Sequence, residues 1–165
     1  MAHRLSRRLG LPHIELDALH WGPDWTPVPL PEFRASVQEA LSRESWMTDG
    51  NYSKVRDITW GRADTIVWLD YPLPVILGRL LRRTLRRVCH REQLWSDNRE
   101  SFQAQFLSRD SLFLWALQTY RRRRREYPEL VARPEHAHLL TVRLRSPRET
   151  QRWLDHLEQA TRIDP

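Results

Sequence analysis

A chain of 165 residues, 40% of them apolar, is long enough for one domain with its own core and too apolar to be disordered. No apolar run approaches the roughly 20 residues that span a bilayer, so a membrane is not among the expected partners. The net charge is +6 with a pI near 10.4, and 26 of the 27 basic residues are arginine, Lys54 being the one lysine. Guanidinium forks bind phosphate through paired hydrogen bonds that an ammonium cannot make, which favours a nucleotide or a nucleic acid as partner.

Ala2 to Leu9 reads as a helix with Leu5 and Leu9 on one face, stopped by Gly10. His13-Ile14-Glu15-Leu16 follows as a short strand closing on Asp17. Ala18 to Pro31 is a loop rich in Trp and Pro; Trp21 and Trp25 suit either a plug for one side of the core or a cover over a substrate. From Pro31 to Arg43 the spacing of Phe33, Val37, Ala40 and Leu41 predicts a helix.

Trp46 to Asp70 contains two apolar runs that each end in an acid. Ser45 to Thr48 stops at Asp49-Gly50-Asn51, and Thr65 to Leu69 stops at Asp70. Nearly continuous apolar runs of this length suit parallel strands covered on both faces. Ligands collect at the carboxyl ends of such strands, so the two acids, with Asn51, Tyr52, Lys54 and Arg56, read as one edge of a polar site. Asp49-Gly50-Asn51 reads equally well as a tight turn. A short helical crossover through Val55 and Ile58 joins the two runs.

Pro72 and Pro74 start a longer helix with one leucine-rich face and Arg79, Arg82, Arg83, Arg86 and Arg87 on the other. The single cysteine, Cys89, forms no disulfide within the chain, which with the absence of a signal-peptide core points to the cytoplasm. After a polar break from Arg91 to Asn98, one or two helices run to about Tyr127 and end in Arg121 to Arg125. Such basic faces are either solvated or collect a polyphosphate. His138 to Leu144 is a last strand; His136 and His138 would share its face, but two histidines without a third ligand do not make a metal site. Arg145-Ser146-Pro147 turns into a final helix carrying Trp153, Leu154 and Leu157. Alternating strands and helices give an α/β class with a parallel sheet, in one domain over residues 1–165.

Gly10-Leu11-Pro12-His13-Ile14-Glu15-Leu16-Asp17, Asp49-Gly50-Asn51-Tyr52 and Ala63-Asp64-Thr65-Ile66-Val67-Trp68-Leu69-Asp70 together resemble the adenylate-kinase-related P-loop proteins, the bacterial group often labelled topology modulation proteins. Asn98-Arg99-Glu100, Ser108-Arg109-Asp110-Ser111 and Val142 to Glu149 extend the resemblance over nearly the whole chain. It implies a three-layer nucleoside-phosphate-kinase-like fold that binds ATP and Mg²⁺ and transfers phosphate to a small acceptor. Asp17 would face the acceptor, Asp49 would hold waters on the metal, and Asn51, Tyr52 and Arg56 would line the acceptor side. In an Arg-rich lid over about residues 79–126, Arg82, Arg83, Arg86, Arg87, Arg121 and Arg122 would neutralise the transferring phosphate. Arg145, Ser146 and Pro147 would lie along the adenine.

One part of the family pattern is missing. The family carries a strand and a Gly-x-x-Gly-x-Gly-Lys-Ser/Thr loop just before the helix that here is Ala2 to Leu9, and no GxxxxGK stands anywhere in this sequence. The family's sheet runs 2-3-1-4-5, so the missing strand is the central one. Its neighbours are expected to lack partners for their ladder groups, at about 1–3 kcal/mol for each buried group. Either the true start lies upstream, with Met1 a mis-called initiator, or this is a degenerate copy; the intact downstream blocks favour the former, and the kinase-like protein is expected to be inactive as written. A second reading, of a different class, is an Arg-rich nucleic-acid binder without catalysis, with non-specific phosphate contacts. Against it, the Trp residues fall in predicted core or loop positions and are not expected to interleave with arginines. A third is an inert fragment that needs a partner strand.

Overall fold

The computed structural model describes residues 1–89, 96 and 112–163, and they form a mixed α/β arrangement with short parallel strands. Helix α1 (Ala2–Leu9) ends at Gly10, whose φ of 65° and ψ of 20° is the left-handed closure open to glycine. Strand β1 (His13–Glu15) then pairs in parallel with β2 (Met47–Asp49), Glu15 standing opposite Asp49. Between them run α2 (Leu16–His20), a single 3-10 turn at Pro23–Trp25 and α3 (Leu30–Ala40).

After β2 a 3-10 turn at Ser53–Val55 runs into α4 (Arg56–Arg62) and then β3 (Thr65–Leu69). Strand β3 pairs in parallel with β4 (Leu140–Leu144), Trp68 opposite Arg143 and Leu69 opposite Leu144. Helices α5 (Leu73–Cys89) and α6 (Leu112–Val131) and a 3-10 turn at Pro134–His136 lie between those two strands in sequence. Helix α7 (Pro147–Ile163) closes the described chain. Among the described residues no helix is long and apolar enough to cross a membrane.

The core gathers on α3. Phe33, Val37 and Leu41 repeat every four residues, so one face of the helix meets Leu16 of α2 and Val55, all nearly or fully sealed from solvent. Ile14, Leu19, Val28, Trp46, Tyr52 and Ile58 pack around this cluster. Each such side chain contributes about 1.5–3 kcal/mol when fully buried.

Several expectations need correction. Among the described residues the strands do not form one sheet: β1–β2 and β3–β4 are separate two-stranded sheets with no ladder between them. β3, an apolar run suited to burial on both faces, keeps Ile66, Val67, Trp68 and Leu69 only half-buried. The strand expected at Ser45 to Thr48 is displaced to Met47–Asp49, and Asp17 lies inside α2, not at a strand end. Helix α6 passes Tyr127 to Val131: Pro128 cannot donate, but its carbonyl accepts the Ala132 N–H at 3.0 Å and the helix continues. Strand β4 begins at Leu140, so His136 and His138 share no strand face. Each imidazole meets a backbone carbonyl instead, His136 that of Leu130 at 2.7 Å and His138 that of Trp60 at 3.1 Å. The loop after α2 is held by a bridge between Trp21 and Pro27, and Trp21 meets Trp25 edge-on.

Candidate functional site

The carboxyl ends of β1 and β2 bring three acids together. Register places Glu15 beside Asp49, and the α2 turn immediately after β1 adds Asp17. Asp17 accepts a hydrogen bond of 2.5 Å from the Tyr52 hydroxyl. Burial and that bond to an anion raise the Tyr52 pKa, so the phenol keeps its proton. Asp49 stands 3.4 Å from the His13 imidazole. Burial raises the Asp49 pKa, with Glu15 and Asp17 adding to the rise and His13 opposing it. Asn51 is half-buried just past Gly50.

His20 closes this group from the side. Its ring lies 4.6 Å from Tyr52, 4.8 Å from Phe33 and 4.7 Å from Trp21, and burial lowers its pKa, so it packs as a neutral aromatic. The Met1 ammonium is within electrostatic reach of Asp49 and of Arg79 on α5, which sets the start of α1 at this same edge. Burial and Arg4 lower its pKa, and Asp49 opposes them.

Four arginines of α5 form the basic side. Arg79, Arg82, Arg83 and Arg86 recur at helical spacing and line an open cavity of about 490 Å³. Arg79 is also stacked on Tyr71, 4.8 Å from its ring. Arg87, expected with them, lies half-buried outside this lining.

The other expected residues divide differently. Arg56 does not join the acids; it lies over Trp60 at 5.0 Å and beside Tyr127 and Arg123 of α6. Arg121 and Arg122 are exposed, and Arg122 is 3.7 Å from Glu126. Ser146 and Glu149 form a capping box for α7: the Glu149 N–H donates to the Ser146 hydroxyl at 3.1 Å, and the Arg145 N–H donates to the Glu149 carboxylate at 2.6 Å. Pro147 occupies the first helical position, where its missing N–H is harmless. These three residues thus have a local structural role. The blocks at residues 98–100 and 108–111, and the break at 91–98 apart from Ser96, lie outside the described residues.

Asp70, read as a second acid of the polar edge, is an anchor. Its side chain is 2% exposed; Arg124 reaches one oxygen at 2.8 Å and Arg143 the other at 2.6 Å, tying α6 and β4 to the end of β3. The expectation that aromatics and arginines stay apart is also overturned. Arg143 covers Trp68 at 4.2 Å, Trp68 stacks on Tyr127 at 5.6 Å, Tyr127 meets Trp60, and Arg123 covers Trp115 at 4.2 Å. Every second residue of β3 and every third or fourth of α6 falls on this side, so period alone aligns them.

Metal and nucleotide fit this edge incompletely. Among the described residues no three His, Cys, Asp or Glu side chains cluster closely enough to hold a metal ion. The arginine cavity suits a polyanion, but no glycine loop supplies the backbone donors that cradle a nucleotide's phosphates. Compared with known proteins, the chain matches no family model, no curated protein and no solved structure.

Proposed function

We propose that this chain is the body of an adenylate-kinase-related phosphotransferase of the P-loop class, acting on a small phosphate acceptor. The observation that carries the reading is the division of the strands into the parallel pairs β1–β2 and β3–β4, whose outer edges are unpaired among the described residues. That division is what a 2-3-1-4-5 sheet without its central strand leaves behind. Acids at the carboxyl end of one pair and the arginine cavity of α5 supply opposite charges at one edge, as phosphoryl transfer requires.

Within this reading Asp17 and Tyr52 orient the acceptor, and Arg79, Arg82, Arg83 and Arg86 attract the polyphosphate. Mg²⁺ and ATP do not fit the chain's own residues without a phosphate cradle. The 165-residue chain is therefore expected to show no measurable Mg-ATP binding by calorimetry. A version extended at its amino end by about 15 residues, one strand and a GxxGxGKS loop, is expected to bind. Tight binding by the unextended chain, or none by the extended one, would sink the proposal.

The interleaved arginines and aromatics favour a second reading, a sequence-indifferent nucleic-acid surface, because bases stack on such platforms while guanidiniums follow the phosphates.

A further inference from the structure

The arginines around α6 fall into two groups. Arg124 and Arg143 are committed to the buried carboxylate of Asp70, and Arg122 to Glu126. Arg56 and Arg123 differ: among the described residues, neither is ion-paired with a carboxylate, although each acts on the other electrostatically.

Both guanidiniums are held in place by rings. Arg56 lies over Trp60, Arg123 lies over Trp115, and Tyr127 stands beside both. Trp60 is fixed in turn by Tyr127 and by His136, whose imidazole is held on the Leu130 carbonyl. Arg56 Nε is sealed from solvent and has no hydrogen-bond partner. Like charges brought together on a rigid aromatic frame repel; Tyr127 and Glu126 partly offset this at Arg123, but among the described residues no carboxylate is ion-paired with either guanidinium.

We propose that Arg56 and Arg123 form a seat for the dianion of a phosphate monoester, bridging α4 and α6. Two guanidinium forks match a group that carries two charges and three terminal oxygens; a phosphodiester offers one charge and two. Burial lowers the Arg123 pKa, with Arg122 and Arg56 adding to the fall and Tyr127 and Glu126 opposing it. The seat lies on α4 and α6, whereas the α5 cavity is lined by other arginines. The seat is separate from Asp17 and Tyr52, and the inference goes beyond the phosphotransferase reading without resting on it.

Calorimetric titration with phenyl phosphate, without nucleotide or metal, tests the seat separately from that reading. Phenyl phosphate is expected to bind the wild-type chain, with its methyl diester at least about tenfold weaker, since charged hydrogen bonds are lost. Arg56→Ala and Arg123→Ala are each expected to weaken binding by about tenfold or more. Arg133→Ala, which removes an exposed charge elsewhere, is expected to leave it unchanged. Arg123→Lys retains charge and bulk but not the fork, so it still reports if the alanine variant does not fold; it should weaken binding as well. A short oligonucleotide bound only with a 5′-phosphate would assign the seat to nucleic-acid ends, and phenyl phosphate bound alone to small esters. Wild-type affinity in a folded Arg123 variant, or a diester bound as tightly as the monoester, would overturn the proposal.

Discussion

Gly50 has φ 109°, and a Cβ placed on it would stand 2.9 Å from the Leu16 Cβ, so the position just after β2 needs glycine for both conformation and space. This requirement is all that the structure adds to the turn reading of Asp49-Gly50-Asn51, and Asp49 is left to its electrostatics. Burial raises the Asp49 pKa, so the folded chain holds this proton to higher pH than the unfolded chain does. Between the ordinary carboxylate range and the raised value, stability then falls as pH rises. Asp49→Asn removes this titration and should melt at or above the wild-type temperature at pH 7, the difference vanishing below about pH 3. A wild type more stable than the variant at pH 7 would show that the His13 contact outweighs burial. Asp70 is a structural anchor. Asp70→Ala removes the carboxylate that ties α6 and β4 to the end of β3 and should destabilise the fold by more than loss of a surface ion pair does, read in denaturant melts. A change under about 1 kcal/mol would mean that solvent screens the pairs as it does surface ones.

At the scale of elements, the helices follow their sequence periods closely and their ends follow local chemistry. α1 ends at its glycine, and α5 begins at Leu73 between Pro72 and Pro74, a position where missing donors are tolerated. α7 starts at a Ser-x-x-Glu signature legible in the sequence as a capping box. Ser146→Ala should lower stability by about 1 kcal/mol, measured by denaturant unfolding with unchanged slope. No loss would show that Pro147 and the Glu149 contact hold the helix start on their own. The short strands were harder to place: three-residue β1 and β2 carry too little pattern to fix their ends, and pairing decided them.

At the scale of the molecule, two open-edged parallel pairs and a half-buried apolar β3 leave a sheet that is not closed by its own strands. Parallel strands are normally covered on both faces, so this part of the chain should be the first to open. The basic surface carries its own expectation. Any nucleic-acid binding should ignore sequence and weaken steeply between low and physiological salt, because phosphate contacts release counterions. Sequence-selective binding that survives physiological salt would favour base contacts from the Trp and Tyr platform.

The sequence alone determined the α/β alternation, β3 from Thr65 to Leu69, the Gly10 stop and the arginine face of α5, because each rests on local period or backbone conformation. It also placed Asp49 and Asp70 at strand ends, though not Asp17. Which acid faces which partner is a long-range matter that no local pattern encodes. Only the tertiary structure paired Tyr52 with Asp17, turned Asp70 into an anchor for Arg124 and Arg143, and set Arg56 against Arg123 across two helices. Those choices depend on packing between elements tens of residues apart, where burial and charge act through space and not along the chain.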